Sequence, residues 1–462
     1  MPFESSNPLY GKAAEVCRTL QAAGYEALLA GGCVRDRLLG RDPKDYDVAT
    51  SATPDQVEAL FPCTVDVGRS FGVIRVLIQK QDIEVATFRE DAMSSDGRHP
   101  DHVTFSTAEA DAQRRDFTIN GMFYDPERHQ LIDYVHGQAD AQAGILRAIG
   151  VAEDRFEEDY LRLLRAARFA ATLTFIIDEN TRSAIVKQSE HILAISPERI
   201  EHELTRILTE APKAGQALNL LWDLALLPHV LPEVCDLAGQ AQPPQFHPEG
   251  DVFKHTCLML DAMDNASPTL AYAVLLHDIG KPATATTSLE PDGTERIRFN
   301  GHDKRGAAMA EDILTRLRMP RRLIDDVVHC VANHMRFMHV KEMRRATLRR
   351  LMGAATFPVE LELHRLDCLC SHGDTSNVAF LLAEMERFEA EPLLPNRWIT
   401  GRDVMARGVP EGPSVGYWVQ TCYDRQLEGE SGSRADLLAW LDQQPLIQMP
   451  RHDDETGSGE PS

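Results

Sequence analysis

Apolar residues recur at helical spacing near the start of the chain, and the pattern changes after residue 27. We predict a helix over residues 1–27 from the positions of Ala13, Ala14, Val16, Leu20 and Ala23. From residue 27 to about 150, short apolar runs alternate with turns, and the runs at 74–78, 83–88 and 102–105 predict strands. From residue 152 onward the strand signals fade, and helical periodicity dominates to the end.

Polar, glycine and proline residues divide the helical part of the chain. Residues 239–250 predict a linker, and residues 288–298 predict a loop. We therefore predict an α+β fold with a small mixed sheet in the first region and helices in the others. The predicted boundaries are a head at 1–148, a neck at 149–245, a third region at 246–385, a tail at 386–450 and a disordered end at 451–462.

Composition and charge limit the classes of protein. The chain has 462 residues, of which 43% are hydrophobic and 26% charged, an ordinary globular mixture without an apolar run of membrane-spanning length. Scattered cysteines without a paired framework, together with an N-terminus unlike a signal peptide, predict a cytoplasmic protein. The net charge of −23 argues against nucleic-acid binding, but binding depends on the local field, and an acidic chain can carry one basic cleft.

A glycine pair ending at Gly32 precedes a predicted helix start, and an acidic doublet follows it. Glycine lets the backbone approach a ligand closely, N–H groups at a helix start suit a phosphate, and Arg35 adds a fork for phosphate oxygens. Asp45 and Asp47 would share one face of a strand and hold Mg²⁺ for phosphoryl transfer, with Glu84 as a third catalytic carboxylate. The alternative is a plain turn with a solvated acidic face.

A second polar pattern places Asp159, Arg162, Arg165 and Arg168 at steps of three residues. On a helix such steps rise about 4.5 Å and drift gradually around one side, so the side chains would face a single groove. An aspartate accepts and an arginine donates, so the pair can match the hydrogen-bonding edge of a base. Amino acids would then select the base where a template normally does. The alternative is a set of weak intrahelical salt bridges with the neighbouring glutamates.

The motifs around these residues resemble the head-domain signature of class II tRNA nucleotidyltransferases and bacterial poly(A) polymerases. The similarity begins with GGCVRDRLLG and DYD and continues through EVATFR, DGRHPDHVTF and RRDFTINGMFYDP. It then runs through IDYVHGQAD, RFEEDYLRLLRAARFA and ISPERIEHEL, so it covers roughly residues 27–205. The resemblance implies a polymerase-β-like nucleotidyltransferase head followed by an all-α neck.

The resemblance also implies roles for individual residues. Asp159 and Arg162 would recognise the base of CTP or ATP, and further nucleotide contacts are expected at Arg115, Arg165 and Arg168. Residues at the start of the head would bind the triphosphate and the metal. We expect triphosphate contacts from Gly32 and Arg35, Mg²⁺ ligands at Asp45 and Asp47, and a flexible loop at 91–103.

A set of histidines and aspartates follows within the motifs FKHT, LLHDIGKP, GHDKRG, ANHMR and HRLDCL. Mixed imidazole and carboxylate ligands suit Mn²⁺, Ni²⁺, Fe²⁺ or Zn²⁺, and a bound metal activates water for phosphoester hydrolysis. The pattern resembles the HD phosphohydrolase superfamily, which implies an HD-type domain at 246–385 that holds one of these ions or Mg²⁺. The implied metal ligands are His255, His277, Asp278 and Asp367, with His302 and His334 able to extend the site.

The two resemblances imply an RNA nucleotidyltransferase that adds C and A nucleotides to the 3′ end of tRNA from CTP and ATP and releases pyrophosphate. The HD-type domain would add phosphohydrolase or phosphodiesterase activity. Neither a membrane nor DNA is expected as a partner. Three alternatives stay open: a poly(A) polymerase or an enzyme that adds only part of CCA, an HD metallophosphohydrolase with a vestigial head, and a non-catalytic RNA-binding protein.

Overall fold

The structure is a computed structural model that describes residues 7–79, 81–91, 103–243, 250–289, 295–388 and 392–445. It divides into two compact units, Met1–Ala332 and Asn333–Ser462. This division falls inside the region that we predicted as 246–385, and the predicted domain boundaries stay predictions. Most of the predicted loop at 91–103 and the predicted disordered end at 451–462 lie outside the described residues.

The strands lie in the first unit and are mostly in its head. They are β1 (Ala27–Ala30), β2 (Asp47–Thr50), β3 (Thr64–Gly68), β4 (Val73–Ile78), β5 (Gln81–Thr87), β6 (Arg89–Asp91), β7 (Val103–Phe105), β8 (Met122–Asp125), β9 (Gln130–Asp133), β10 (Ile145–Leu146), β11 (Ile176–Ile177), β12 (Thr286–Leu289) and β13 (Glu295–Arg298). A mixed sheet followed by helices confirms the α+β class.

Helices are the main secondary structure in the rest of the first unit and in the second unit. Those beginning in the first unit are α1 (Pro8–Ala22), α2 (Gly32–Leu38), α3 (Pro54–Leu60), α4 (Ala108–Gln113), α5 (Gly137–Ala143), α6 (Ala152–Glu158), α7 (Leu161–Leu173), α8 (Glu179–Gln188), α9 (Pro197–Glu210), α10 (Ala214–Asp223), α11 (Leu227–Val230), α12 (Pro232–Cys235), α13 (Val252–Ala262), α14 (Pro268–Leu276), α15 (Lys281–Thr284), α16 (His302–Arg316) and α17 (Arg321–Asn333). The second unit contains α18 (Arg345–Met352), α19 (Phe357–Cys370), α20 (Ser376–Arg387), α21 (Gly401–Met405), α22 (Pro413–Glu428) and α23 (Arg434–Asp442). Short 3-10 helices occupy Arg69–Phe71, Thr118–Asn120, Ser189–Ala194 and His334–Glu342.

The head is built on a seven-stranded sheet with the strand order β3-β4-β5-β2-β1-β8-β9. Strands β2 and β5 pair in parallel with Val48 opposite Val85, and the other neighbours pair antiparallel. Because side chains alternate between the faces of a strand, Asp47 and Glu84, one residue earlier on each strand, lie on the same face. The register of the sheet therefore brings two distant carboxylates together.

The two faces of the sheet have different surroundings. Leu29, Val48 and Val85 belong to a core that also contains residues of α1 and α3. Leu28 and Ala49 point to the opposite face, where they pack with apolar residues of α4 and β8. This second face also carries Asp47 and Glu84, so the candidate chemistry lies on the face away from α1.

Two predictions about secondary structure were wrong or too broad. The predicted loop at 288–298 contains parts of the antiparallel pair β12 and β13, with Ser288 opposite Arg296, in a region for which we expected helices. The first helix covers Pro8–Ala22 rather than all of 1–27, because the Asn7 side chain caps it and Pro8 occupies its first turn. In the part of the chain that the structure describes, no helix has the length and apolar character needed to cross a membrane.

A candidate active site between head and neck

A cavity of about 560 Å³ lies between the head sheet and the first neck helices. Its lining includes every residue to which we assigned a catalytic or nucleotide-binding role in these regions: Gly32, Arg35, Asp45, Asp47, Glu84, Arg115, Asp159, Arg162, Arg165 and Arg168. The sheet supplies one wall and helix α7 another. The structure thus gathers residues that are up to 136 positions apart in the sequence.

The glycine pair forms a tight turn between β1 and α2. Gly31 has φ 71° and ψ −128°, a conformation that a residue with a Cβ atom rarely adopts. A Cβ atom on Gly31 would lie 3.1 Å from Nη1 of Arg115, so the turn also leaves space for that guanidinium. The side chain of Arg35, one turn into α2, donates to the Asn120 Oδ1 atom at 2.7 Å and to Asp36. These bonds aim a buried guanidinium at the cavity.

Three carboxylates meet at the sheet end of the cavity. Asp47 is the first residue of β2 and Glu84 lies in β5, whereas Asp45 lies in the loop before β2. Our expectation that both members of the doublet lie on one strand was therefore wrong, although both line the cavity. Burial, together with the charges of Asp45 and Glu84, raises the pKa of Asp47 to about 7, although the charge of Arg115 lowers it.

These carboxylates suit a divalent cation. Hard oxygen donors are the ligands that Mg²⁺ takes in proteins, usually one or two carboxylates together with substrate phosphates. The mutual repulsion of Asp45, Asp47 and Glu84 is the kind of strain that a bound cation relieves. The donor set therefore fits a metal, and the identity of the ion stays a prediction.

We expected Asp159 to lie on the same helix as the three arginines, and this expectation was wrong. It follows the end of α6 with φ −157° and ψ 105°, and α7 begins only at Leu161. One carboxylate oxygen accepts a hydrogen bond from the Leu161 N–H at 3.0 Å, and the other forms an ion pair with Nη2 of Arg199 at 2.7 Å. The extended residue aims the carboxylate into the cavity beside the start of α7.

Arg162 and Arg165 have carboxylate partners at the cavity wall. Arg162 donates to Glu158 at 2.6 Å, so a pair with a neighbouring glutamate, which we weighed as an alternative, is present here, although it joins the end of α6 to α7 and is not intrahelical. It also donates to the backbone carbonyl of Arg114 at 3.2 Å, which joins the neck to the head. Arg165 pairs with Asp116, a residue of the head. Both guanidiniums are thus held in place while their residues line the cavity.

Arg168 is more deeply buried than the other two arginines. Its Nε atom lies 2.5 Å from Oε2 of Glu203, and both side chains are under 5% exposed. Its guanidinium also lies 4.0 Å from the ring centre of Phe169. Burial lowers the pKa of Arg168, against the opposing charge of Glu203. The contact ties α7 to α9, and the role of Arg168 in nucleotide binding stays a prediction.

Arg115 is held by a residue that we did not predict. The buried Asp111 carboxylate accepts hydrogen bonds from Nε and Nη2 of Arg115 at 3.1 and 2.9 Å. The same carboxylate accepts two bonds from Arg114, at 2.9 and 2.6 Å. Asp111 on α4 therefore fixes two neighbouring guanidiniums, and the face of Phe123 supports Arg115 at 5.0 Å.

Further polar residues that we did not assign line the same cavity: Arg89, Arg114, Asp116, Asn120, Arg199 and Arg206. Several of them lie within the motifs RRDFTINGMFYDP and ISPERIEHEL, so the motifs were recognised while these members were overlooked. Among the residues that the structure describes, nine arginines and five carboxylates line the cavity. The cavity is thus locally basic within a chain of net charge −23, which answers the objection from overall charge.

A second cluster lies in the helices that follow the neck. His255 on α13 and His277 at the end of α14 are buried, with ring centres 5.7 Å apart. Nε2 of His277 lies 3.0 Å from Oδ2 of Asp278, and Nε2 of His302 lies 3.5 Å from Oδ1. Buried imidazoles beside a buried carboxylate form a donor set that fits a transition-metal ion. Asp367, the fourth predicted ligand, lies on α19 in the second unit, and its role stays a prediction.

Three models of known families match successive stretches of the chain. Residues 27–147 match the model of the poly A polymerase head domain. This stretch of the chain therefore resembles a poly A polymerase head domain. Residues 174–237 match a probable RNA and SrmB-binding site of polymerase A, and residues 251–369 match the HD domain. The stretch that matches the head domain contains the glycine pair, the three carboxylates and Arg115.

Curated relatives resemble about half of the chain. A CCA-adding enzyme of Geobacillus kaustophilus is 42% identical over 224 residues, which are 48% of this chain and 55% of that protein. A CCA-adding enzyme of Lactiplantibacillus plantarum is 44% identical over 211 residues, 45% of this chain and 52% of the relative. The chain thus spans about half the length of these curated relatives.

Solved structures resemble the chain over nearly its whole length. The crystal structure of the Bacillus stearothermophilus CCA-adding enzyme in complex with CTP has a TM-score of 0.71 and 26% identity, and the match covers 94% of this chain and 97% of that one. A Thermotoga maritima CCA-adding enzyme complexed with tRNA has a TM-score of 0.57 at 17% identity, covering 95% of each chain. These matches confirm a polymerase-β-like head followed by helical regions.

Proposed function

We propose that this protein adds CCA to the 3′ end of tRNA, using CTP and ATP and releasing pyrophosphate. The observation that carries the proposal is the convergence of two groups on one cavity: the carboxylates Asp45, Asp47 and Glu84, and the row that begins with Asp159 and Arg162. The first group suits phosphoryl transfer and the second suits recognition of a base. The curated relatives and the structures solved with CTP or tRNA support the same function.

The base is selected by hydrogen-bond direction. Cytosine and adenine each present an exocyclic amino donor beside a ring nitrogen acceptor, whereas uracil and guanine present an oxygen acceptor beside a ring N–H. Asp159 accepts from the amino group, and Arg162 donates to the ring nitrogen. Uracil and guanine would place their oxygen acceptor against the Asp159 carboxylate and their ring N–H against the Arg162 guanidinium, and neither contact is a hydrogen bond. Amino-acid side chains therefore replace the template.

At the other end of the cavity the chain positions the triphosphate and the RNA. The turn at Gly31 and Gly32 leaves room for phosphate oxygens, and the Arg35 guanidinium neutralises their charge. Asp45, Asp47 and Glu84 would hold Mg²⁺, which lowers the barrier to phosphoryl transfer by stabilising charge on the attacking and leaving oxygens. The RNA 3′-hydroxyl attacks the α-phosphorus, the bond to pyrophosphate breaks, and positioning with electrostatics supplies most of the catalysis.

The proposal is tested with tRNA that lacks its 3′-terminal CCA. The purified chain is incubated with this RNA, Mg²⁺ and each nucleoside triphosphate singly and together, and the products are sequenced. Ordered addition of C, C and A is the expected result. A homopolymeric A tail would instead assign the protein to the poly(A) polymerases, and addition of only C residues or only A would indicate a partial CCA-adding enzyme.

We further propose that the cluster of His255, His277 and Asp278 binds a divalent metal and hydrolyses phosphoesters. These side chains are buried together next to His302, and the match to the HD domain covers all four. A metal bound there would supply an activated water. The test is hydrolysis of a 2′,3′-cyclic nucleotide in the presence of Mn²⁺, Ni²⁺ or Mg²⁺, and no hydrolysis with any of these ions would reject this second activity.

A further inference from the structure

Arg199 lies in the motif ISPERIEHEL, but we predicted no role for it from the sequence. It lies in the first turn of α9, forty residues after Asp159, and it lines the nucleotide cavity. Its guanidinium forms the ion pair with Asp159 at 2.7 Å. We propose that Arg199 is a positioning residue for base selection: its ion pair holds the Asp159 carboxylate in the orientation that accepts an amino group. This inference rests on the proposed function.

The Asp159 side chain needs a partner such as Arg199 to fix the orientation of its carboxylate. Asp159 lies in the extended break between α6 and α7, so the regular geometry of a helix does not fix its side chain. The Leu161 N–H holds one carboxylate oxygen at 3.0 Å, and Arg199 holds the other. A carboxylate has about four lone-pair sites on its two oxygens. Both oxygens therefore keep a site for an incoming amino hydrogen while the plane of the carboxylate is fixed.

The helix that carries Arg199 is itself anchored. Glu203, four residues later on the same side of α9, forms the buried ion pair with Arg168 on α7. Ile200, Leu204 and Ile207 bury the apolar side of α9. The backbone of Arg199 is thus held against the helix that carries the arginine row, and the position of its guanidinium relative to that row is set by packing.

A purely structural role would predict a different consequence. The side chains of Arg199 and Asp159 are 30% and 21% exposed, and ion pairs with this access to water contribute little to stability. The neighbouring pair of Glu198 and Arg318 is at least half exposed, and neither residue lines the cavity. Of these two pairs on α9, only the one formed by Arg199 lines the cavity. Its effect should therefore appear in base choice rather than in folding.

Loss of the pair should weaken discrimination between bases. With Arg199 removed, the Asp159 carboxylate can rotate about its side-chain torsions, and the penalty against uracil depends on that orientation. A well-formed pair of hydrogen bonds discriminates between bases by roughly tenfold to a hundredfold. We expect Arg199→Ala to lower the ratio of kcat/KM for CTP to that for UTP by at least about tenfold. Most of the change should lie in the KM for CTP, since the carboxylates that act on the α-phosphorus are untouched.

The experiment compares the full chain with three variants on the same RNA. Arg199→Ala should lose base preference, and Arg199→Lys, which keeps a cation near Asp159, should restore most of it. Glu198→Gln is the matched control, because it breaks an exposed ion pair on the same helix, and its CTP-to-UTP ratio should equal that of the unaltered chain. Unchanged preference in Arg199→Ala, or equal loss in Glu198→Gln, would overturn the inference. Circular dichroism and thermal unfolding establish that each variant is folded.

A binding measurement separates this inference from the proposed function. Titration calorimetry of CTP and UTP in the absence of RNA reports base preference without any chemical step. If the chain adds no nucleotide to RNA but binds CTP more tightly than UTP, the proposed activity fails while Arg199 can still be tested. Loss of that binding preference in Arg199→Ala supports the positioning role, and retained preference contradicts it.

Discussion

The Arg165 guanidinium donates two hydrogen bonds to a single oxygen of Asp116, with Nε at 2.9 Å and Nη2 at 2.5 Å from Oδ2. Asp116 belongs to the head and Arg165 to helix α7 of the neck, so this pair joins the two walls of the cavity. The other oxygen of Asp116 accepts bonds from the Phe117 N–H and from Asn120. Both oxygens of the Asp116 carboxylate thus accept hydrogen bonds, so protonation of Asp116 would weaken these contacts.

The first prediction concerns stability at low pH. Burial raises the pKa of Asp116, but the charge of Arg165, the hydrogen bond from Asn120 and the charge of Arg162 lower it to about 2. Because this value lies below that of the unfolded chain, the stabilisation is present above about pH 4 and is lost as the pH falls towards 2. It should amount to about 2 kcal/mol at neutral pH.

Urea unfolding between pH 7 and pH 3 measures this contribution. The difference in the free energy of unfolding between the unaltered chain and Asp116→Asn should shrink as the pH falls. Asp82→Asn, at an exposed carboxylate outside the cavity, serves as the control and should show little difference from the unaltered chain at any pH. A constant difference between Asp116→Asn and the unaltered chain would contradict the assignment.

The second prediction concerns the buried ion pair between Arg168 and Glu203. Glu203→Ala leaves a buried guanidinium without its carboxylate, and such a loss costs about 3–5 kcal/mol. Replacing both residues, as in Arg168→Met with Glu203→Leu, should recover much of the loss because no uncompensated charge remains. Chemical denaturation of the single and double variants checks this, and a double variant no more stable than Glu203→Ala would show that the charge is not the cause.

The third prediction concerns the turn at Gly31. Gly31→Ala puts a Cβ atom at a positive φ and within 3.1 Å of the Arg115 guanidinium, so it should strain the backbone by about 1–3 kcal/mol and displace Arg115. We expect the KM for nucleotide to rise about tenfold. Gly40→Ala is the control, since Gly40 has φ 70° but open space around it. It should lose stability without a change in KM, and an equal rise in KM would refute the steric explanation.

The fourth prediction tests the acidic group. Asp45→Ala removes a carboxylate of the proposed Mg²⁺ site, so nucleotide incorporation should fall on the order of a thousandfold. The melting temperature should change little, because Asp45 is exposed and lies in a loop. Asp82→Ala, at an exposed carboxylate of β5 outside the cavity, should keep normal incorporation. Full incorporation by Asp45→Ala would remove this residue from the site.

The fifth prediction separates the two candidate activities. His277→Ala should abolish binding of Mn²⁺ or Ni²⁺ at the HD cluster, measured by equilibrium dialysis with metal analysis, and should abolish phosphoester hydrolysis. Addition of CCA to tRNA should continue, because His277 does not line the nucleotide cavity. His339→Ala, at an exposed histidine of the second unit, serves as the control. Undiminished metal binding by His277→Ala would reject the assignment.

Local patterns in the sequence predicted the main features of the head. Alternating apolar runs predicted β4 and β5 to within two residues at each end, because alternation reports which face of a strand is buried. The glycine pair before α2 was likewise predictable, since only glycine adopts the conformation of Gly31 easily. The predicted loop at 288–298 was wrong because both strands are only four residues long and β12 is exposed on both faces, so it lacks the alternation that marks a half-buried strand.

The sequence by itself determined which residues we propose for the chemistry, since glycine, aspartate and arginine at fixed short spacings limit what a site can do. Only the tertiary structure decided how those residues are held. Arg199 beside Asp159 and Glu203 against Arg168 are set by the packing of helix α9. Both pairs join residues at least 35 positions apart. Local periodicity carries no information about such contacts, because the partner of a charged side chain is chosen by the folded surface that faces it.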